Sequence, residues 1–248
     1  MKAVIMAGGL GMRLRPLTSI IPKPLLPLGD RSILEILLKN LEECGVKDVF
    51  IATNYMSEYF ETYFRQCPPK NLRLHFSRET IPLGTAGPLK LLEDELTEPF
   101  LVVNGDILTN LDFQDFYSFF QENSYEVLLA TTLVQLPTNY GVVTRKGSQI
   151  VEIEEKPNIE AEVVAGIYCL DPSVLKKIPA GKNFDMPELL HRVSEEGKLG
   201  AFPLQSYWLD IGHMEHYEKA KEDIRSLDLI ESQTANPVDL KGIEELAK

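Results

Sequence analysis

The chain has 248 residues, of which 44% are hydrophobic, 25% charged and 8% aromatic. This composition excludes a disordered, collagen-like or disulfide-stapled chain and is typical of one globular domain with room for a small additional lobe. The formal net charge of −12 at pH 7 argues against general binding of nucleic acid or of an anionic membrane. The three cysteines fit no zinc motif in their spacing, and their odd number argues against a disulfide framework, which indicates a reducing compartment. Because no apolar stretch approaches the roughly 20 residues of a membrane span, we expect a soluble, cytoplasmic protein.

Strand and helix signals alternate in the first half of the chain, and four prolines exclude a regular helix from residues 10–29. Apolar runs bounded by turn residues predict strands, and apolar residues at helical spacing predict helices. The predicted strands are Ala3–Met6, Val49–Ala52, Leu72–Phe76 and Phe100–Val103, and the predicted helices are Ile33–Leu41, Tyr55–Phe64 and Ala86–Leu96. This alternation predicts a parallel sheet with helices on both faces, and the continuous apolar run at Phe100–Val103 predicts its central strand.

The second half of the chain is richer in strand signals. The predicted strands are Val127–Val134, Val142–Thr144, Ile150–Ile153, Val163–Leu170, Leu199–Pro203 and Tyr207–Leu209, and the predicted helices are Asp185–Glu195 and His213–Leu227. Beyond Ser232 these signals fade. We therefore assign residues 1–230 to one domain and residues 231–248 to a C-terminal tail or linker.

The first predicted strand leads into a glycine-rich loop at residues 8–11. Glycines let backbone N–H groups approach phosphate oxygens with no side chain in the way. The loop lacks the Gly-Lys-Ser/Thr end of a Walker A motif, and Leu14 stands where the dinucleotide fingerprint has its last glycine. Arg13 and Lys23 lie in an N-terminal stretch of 29 residues that contains no acid. This pattern predicts a phosphate loop of another kind, and the alternative is a structural turn with surface basic residues.

Two aspartates follow predicted strands, at the place where ligands of open α/β sheets bind. Asp106 comes just after the central strand, and Asp210 follows the strand near Trp208. Two carboxylates that converge on one Mg²⁺ would suit phosphoryl-group chemistry. Each aspartate taken alone is equally consistent with a turn or a helix cap.

Two further pairs of residues give weaker signals. Glu155 and Lys156 end a predicted strand, where they suit the hydroxyls and the phosphate of a ligand, although exposed mixed charges are commoner at such a position. His213 and His216 lie three residues apart on a predicted helix. Because no third ligand is spaced to match them, the two histidines are more typical of a solvent-facing pair than of a metal site.

Taken together, these residues resemble the sugar-1-phosphate nucleotidyltransferases, also called nucleotide-sugar pyrophosphorylases. Seven matching segments occur in the family's order: Ala7–Leu14, Pro22–Pro24, Leu83–Gly87, Val103–Asp106, Glu155–Pro157, Ala165–Tyr168 and Trp208–Gly212. Each segment is a weak match by itself, but seven in the right order make a strong one. The resemblance implies an α/β fold with a Rossmann-like mixed, mainly parallel sheet, flanking helices and a smaller inserted strand-rich part that binds the sugar.

The resemblance also implies a reaction: transfer of a nucleotidyl group from an NTP to a sugar 1-phosphate, with Mg²⁺ as cofactor and pyrophosphate as the second product. The implied catalytic residues are Arg13, Lys23, Asp106, Lys156 and Asp210, with Asp106 and Asp210 as the metal ligands. The implied nucleotide contacts are Ala7, Gly8, Gly9, Gly11, Gly84, Thr85 and Asp106. The implied sugar-phosphate contacts are Gly141, Glu155, Lys156 and Val164.

The substrates are less sharply implied. The segment Leu83–Leu89 looks most like guanylyltransferases, so we expect GTP, although uridylyl- and thymidylyltransferases share much of it. Met12 stands where many members have Thr, so one hydroxyl near the phosphates is missing. Val164 stands where many manno- and N-acetylglucosamine enzymes have Asn, so no particular sugar is predicted. One alternative is a catalytically silent subunit that binds a nucleotide sugar and regulates a partner. A glycosyltransferase is disfavoured because Asn104-Gly105-Asp106 has one carboxylate where an Asp-x-Asp motif has two. We expect no nucleic-acid or membrane partner, and a homo-oligomer is an option.

Overall fold

A computed structural model describes residues 1–224 of the chain, so the predicted tail at residues 231–248 and the last three residues of the predicted closing helix lie outside the described part. The strands are β1 (Lys2–Met6), β2 (Pro27–Leu28), β3 (Arg31–Ser32), β4 (Asp48–Thr53), β5 (Arg73–Arg78), β6 (Phe100–Asn104), β7 (Ile107–Thr109), β8 (Val127–Pro137), β9 (Gly141–Lys146), β10 (Gln149–Glu155), β11 (Asn158–Leu170), β12 (Leu199–Pro203) and β13 (Trp208–Asp210). The α-helices are α1 (Ile33–Glu43), α2 (Ser57–Gln66), α3 (Gly87–Lys90), α4 (Phe113–Glu122), α5 (Met186–Glu195) and α6 (Met214–Asp223). Short 3₁₀ turns occur at Met12–Leu14, Leu17–Ser19, Lys23–Leu25 and Pro172–Lys177.

Seven of these strands form the central sheet, in the spatial order β12-β8-β11-β6-β1-β4-β5. Parallel pairing joins β6 to β1, β1 to β4 and β4 to β5, and β12 is parallel to β8. Strand β11 is antiparallel to both of its neighbours, β6 and β8. The sheet is therefore mixed and mainly parallel, as the family resemblance implies.

The central strand β6 is buried on both faces. Leu101 and Val103 pack into an apolar cluster that includes residues of α1 and α4. Phe100 and Val102 point the other way, into a cluster that includes residues of α5. All four side chains have no exposed surface, and burial of each contributes about 1.5–3 kcal/mol. This confirms the prediction that the continuous apolar run at Phe100–Val103 is the middle of the sheet.

The predicted helix at Ala86–Leu96 is wrong in its length. Only α3 is helical there, and the chain continues in turns whose amides bond to the third residue back, as Leu91 does to the carbonyl of Pro88 at 3.1 Å. By contrast, α1 begins at Ile33 as predicted, and the hydroxyl of its N-cap, Ser32, accepts from the amide of Glu35 in a capping box. No bounds were predicted for helix α4, which begins directly after Asp112. Within residues 1–224, no helix is long and apolar enough to cross a bilayer.

A long two-stranded arm extends from the sheet. Beyond the end of β12, strands β8 and β11 pair only with each other, and β9 and β10 continue this ribbon. A bend separates the two parts where the amide of Lys156 donates to the carbonyl of Tyr140 at 3.2 Å. Lys156 itself has a left-handed φ of 51°. We call residues 132–164 the arm and residues 141–155, beyond the bend, its tip.

Candidate active site

The two predicted metal-binding aspartates lie side by side. Asp106 follows β6, and the chain then forms β7, which pairs antiparallel with β13 so that Asp210 lies opposite Ile107. The amide of Ile211 donates to the backbone carbonyl of Asp106 at 3.0 Å. Pairing of two strands about 100 residues apart therefore brings both carboxylates to the carboxyl end of the central strand.

Lys23 lies between these carboxylates. Its ammonium is 2.5 Å from Oδ2 of Asp106 and 4.0 Å from Oδ1 of Asp210, and its side chain is only 10% exposed. A buried cation needs such partners, because its desolvation is otherwise costly. Burial raises the pKa of Asp210, and the negative charge of Asp106 raises it further while Lys23 opposes the rise. The pair of carboxylates is thus a place that attracts positive charge.

The glycine-rich loop packs against this cluster. Gly11 has a left-handed φ of +59°, and the hydroxyl of Thr18 donates to its carbonyl at 2.8 Å. A Cβ on Gly11 would come within 3.2 Å of the Cβ of Lys23, so the loop approaches the lysine closely. Arg13 is exposed, and its guanidinium approaches Gly212, to which Asp210 is also close. A Cβ added to Gly212 would lie 3.5 Å from Nη2 of Arg13 and 3.3 and 3.5 Å from the two carboxylate oxygens of Asp210. The structure therefore brings together the loop, Arg13, Lys23, Asp106 and Asp210.

Asp106 and Asp210 fit a magnesium ion. Mg²⁺ in proteins is held by one or two carboxylates, and phosphates and water complete its shell. In the described part of the chain, no group of three or more His, Cys, Asp or Glu residues is arranged to hold a metal, so phosphate oxygens would have to supply further ligands. The ammonium of Lys23 beside both carboxylates shows that a cation is accommodated there.

The other predicted nucleotide contacts differ in whether they already form hydrogen bonds within the fold. Gly8 and Gly9 follow β1, and a Cβ on Gly9 would have open space around it. The amide of Ala7 already donates to the carbonyl of Ala52 at 2.8 Å. Thr85 is also engaged within the fold, because its amide and hydroxyl lie 2.9 and 3.1 Å from Oδ1 of Asp185. Roles for these residues in nucleotide binding stay predictions.

Gly84 shapes the turn that holds Thr85. Its φ is +82°, and a Cβ there would come within 2.7 Å of both the carboxylate of Asp185 and the carbonyl of Phe184. Only glycine fits this position without a shift of the backbone. The turn is thereby fixed against the start of α5.

Glu79 is a candidate functional residue that the sequence reasoning missed. It is 7% exposed, and its Oε2 atom accepts from the amide of Leu83 at 2.7 Å. Its Oε1 atom would be 3.1 Å from a Cβ on Gly8, so this carboxylate bridges the glycine loop and the segment Leu83–Gly87. Burial raises the pKa of Glu79. The rule that identified Asp106 would have found it, because Glu79 directly follows the carboxyl end of the parallel strand β5.

The predicted sugar contacts are divided between a cleft and the arm. Val164 is 44% exposed and lines a cleft of about 750 Å³ together with Asp106 and Asp210. Trp208 lines the same cleft and donates from Nε1 to the carbonyl of Ala165 at 2.7 Å. Gly141, Glu155 and Lys156 lie at the bend of the arm, are exposed, and are not among the residues that line the cleft.

The prediction that His213 and His216 face solvent is wrong. Both are half-buried and line the cleft, with ring centroids 3.8 Å apart. Nδ1 of His216 lies 2.5 Å from the backbone carbonyl of Asp210. The reason is that α6 begins four residues after Asp210, so its first turn packs against that strand end.

The profile of the family described as Nucleotidyl transferase matches residues 2–226, which is most of the chain. The chain belongs to the nucleotidyl transferase family. Among its relatives in that family are the mannose-1-phosphate guanylyltransferase catalytic subunit beta of Danio rerio and a mannose-1-phosphate guanyltransferase of Emericella nidulans. Each relative is 38% identical to this nucleotidyl transferase over 86% of the present chain. The chain spans 61% of the length of either relative.

Solved structures of similar proteins agree with this membership. HddC from Yersinia pseudotuberculosis, in its complex with GMP-PN, superposes with a TM-score of 0.70 and 27% identity over 90% of this chain and 99% of HddC. A putative glucose-1-phosphate thymidylyltransferase from Bacillus anthracis gives a TM-score of 0.75 and 25% identity, over 91% of this chain and 95% of that one. The nucleotidyl transferase fold therefore extends over nearly all of the described residues.

Proposed function

We propose that this chain is an enzyme that transfers a nucleotidyl group from an NTP to a sugar 1-phosphate and releases pyrophosphate. The observation that carries the proposal is the cluster of Lys23, Asp106 and Asp210 beside the glycine loop. The names of the guanylyltransferase and thymidylyltransferase relatives support the same reaction class.

The chemistry requires two anions to meet. An oxygen of the sugar phosphate attacks the α-phosphorus of the NTP, the new P–O bond forms in line with the breaking one, and pyrophosphate leaves. Such a reaction needs positioning and charge neutralisation more than a nucleophilic side chain. The glycine loop and Arg13 would hold the triphosphate, and Lys23 would neutralise charge at the reacting phosphate. Mg²⁺ held by Asp106 and Asp210 would supply further positive charge to the phosphates.

The sugar phosphate would bind between the cleft and the bend of the arm. Val164 and Trp208 are among the apolar residues that line the cleft. Lys156 is exposed at the bend, and no ion pair joins it to another residue among those described, so its ammonium is available to a phosphate. Glu155 lies next to Lys156 and would accept from the sugar hydroxyls. This part of the proposal places the sugar on the arm side of Asp210.

Glu79 supports GTP as the nucleotide. The Watson–Crick edge of guanine offers two adjacent N–H donors, which one carboxylate can accept together. Uracil and thymine present one donor between two carbonyl acceptors, and a carboxylate would repel those carbonyls. Glu79 lies between the glycine loop and the segment Leu83–Gly87. A nucleotide whose triphosphate is bound by the loop would place its base in this region. The guanylyltransferase relatives and the GMP-PN complex of HddC also support GTP.

Glu79→Gln is expected to lower the ratio of kcat/KM for GTP to that for UTP by at least ~10-fold, because an amide offers one acceptor where the carboxylate offers two charged ones. The measurement is pyrophosphate release with each nucleotide. UTP turnover and the unfolding temperature serve as internal controls, since a folding defect would lower both activities together. An unchanged ratio would remove Glu79 from base recognition.

The proposed activity is tested by pyrophosphate release from GTP, UTP, dTTP and ATP, each mixed with mannose 1-phosphate or glucose 1-phosphate in the presence of Mg²⁺. We expect release that requires both substrates and is fastest with GTP. Binding of a nucleotide sugar without any release would instead identify a silent regulatory subunit. Faster turnover of UTP or dTTP than of GTP would identify a uridylyl- or thymidylyltransferase. The cytoplasmic location stays a prediction.

A further inference from the structure

Asp210 lies on a strand that stands apart from the central sheet. Strand β13 is three residues long and pairs with β7, which is equally short, in a separate two-stranded ladder. A two-stranded ladder is only marginally stable by itself. Mg²⁺, by contrast, requires near-ideal octahedral geometry with oxygen ligands at about 2.0–2.1 Å. The direction of the Asp210 carboxylate must therefore be fixed by contacts beyond this ladder.

The peptide unit between Asp210 and Ile211 is held at its N–H end by the ladder. The amide of Ile211 donates to the backbone carbonyl of Asp106 at 3.0 Å. Opposite residues of an antiparallel ladder alternate between hydrogen-bonded and non-hydrogen-bonded pairs. Asp210 and Ile107 are therefore a non-hydrogen-bonded pair, and the carbonyl of Asp210 points away from β7. This carbonyl needs a partner from outside the ladder.

His216 holds the other end of the same peptide unit. Its Nδ1 atom lies 2.5 Å from the carbonyl oxygen of Asp210. Because a carbonyl oxygen only accepts, Nδ1 carries the proton and donates. The imidazole is half-buried, which strengthens the bond relative to one in water. The peptide unit after the Asp210 Cα is thus bonded on both sides, to the backbone of Asp106 and to α6.

Helix α6 gives His216 a firm support. The next residue, Tyr217, is 6% exposed, and its hydroxyl donates to the carbonyl of Pro27 at 2.6 Å. Ala220, one turn further along, is fully buried in an apolar cluster. The imidazole of His213 packs on the ring of His216, with the two centroids 3.8 Å apart, and restricts its rotation. His216 is therefore a fixed donor.

We propose that His216 is a positioning residue of the metal site, which aims the Asp210 carboxylate at the cation shared with Asp106 by fixing the peptide unit after Asp210. The inference rests on the proposed magnesium site and adds a residue that acts through a metal ligand. Because the other end of this peptide unit is bonded to Asp106, His216 also sets the separation of the two carboxylates. Loss of a hydrogen bond that orients a metal ligand typically lowers metal affinity about 10–100-fold.

The test is the Mg²⁺ concentration at the midpoint of the fluorescence change of Trp208, the only tryptophan in the chain. It is titrated at a fixed GTP concentration without sugar phosphate, so that no nucleotidyl transfer occurs. His216→Leu cannot donate and is expected to raise this midpoint at least ~10-fold. His216→Asn should keep it near the wild-type value, because the asparagine amide nitrogen can replace Nδ1 as the donor. His213→Phe is the matched control, since it keeps a ring against His216 and leaves the bond to Asp210 intact.

Turnover separates positioning from a general defect of the fold. At saturating Mg²⁺, His216→Leu should recover most of the wild-type turnover, because the metal site is then filled. Low turnover of this variant at every Mg²⁺ concentration would overturn the inference, and so would equally raised midpoints in His216→Leu and His216→Asn. An unchanged midpoint in His216→Leu, beside a clear wild-type titration, overturns the inference but leaves the proposed metal site standing. A wild-type chain without any Mg²⁺-dependent change would remove the metal site itself, and this inference with it.

Discussion

Asp106→Asn is expected to lower turnover at least ~100-fold, the scale of losing one preorganised charge at a reacting phosphate. The asparagine amide is isosteric with the carboxylate but carries no negative charge. It would therefore fail to hold Mg²⁺, and it would leave the ammonium of Lys23, now 2.5 Å from Asp106, without its main counter-ion. Both losses act on the same phosphate, so the effect should fall on kcat more than on KM.

Pyrophosphate release measures this effect, and the unfolding temperature shows whether the fold survives. Asp115→Asn is a matched control, because Asp115 is an exposed aspartate on α4, outside the site. It should retain full turnover. Near-normal turnover of Asp106→Asn in a folded protein would contradict the assignment of this carboxylate to the reaction.

Removal of divalent metal is the second change with a large expected effect. In excess EDTA we expect no measurable turnover, and added Mg²⁺ should restore it. Without the cation, the negative charges of two carboxylates and of the phosphates of two substrates would repel one another in one site. Asp210→Asn should raise the Mg²⁺ concentration needed for half-maximal activity. Full activity in EDTA would contradict the proposed metal site.

Fluorescence gives a readout of metal binding that is independent of activity. Trp208 is the only tryptophan in the chain and lines the cleft beside Asp210. Its emission should change on titration with Mg²⁺ and GTP together, and Asp210→Asn should shift that titration to higher Mg²⁺. An identical titration in the variant would separate Asp210 from the metal.

Much of the site was predictable because it lies at strand ends. A continuous apolar run identified β6 as central, and the position of Asp106 followed from it. The glycine loop was predictable from residue type alone, because few other sequences allow such close backbone approach. The proximity of Asp106 and Asp210 was not predictable from spacing or composition, since it depends on the pairing of β7 with β13, across about 100 residues.

Other features of the structure could not be predicted from the sequence, and each has a physical reason. Alternating valines and isoleucines predict a strand, but they do not tell whether its apolar face is buried, so the exposed face at Val143 and Ile153 was invisible in the sequence. The position of Glu79 after a strand was within reach of the strand-end rule, but its burial was not, because that depends on the turn that brings the amide of Leu83 to its carboxylate. The helix expected at Ala86–Leu96 fails because local i→i+3 turns replace its later part.

The most direct test of the central claim is a ³¹P NMR spectrum of the chain mixed with GTP, mannose 1-phosphate and Mg²⁺. The proposal predicts that the signals of both substrates decline together, while the coupled pair of a sugar diphosphate ester and the single line of pyrophosphate grow in equal amounts. Appearance of GDP and inorganic phosphate, with the sugar phosphate unchanged, would show hydrolysis in place of nucleotidyl transfer and would contradict the proposal. So would a spectrum in which no phosphate signal changes with any of the four nucleotides.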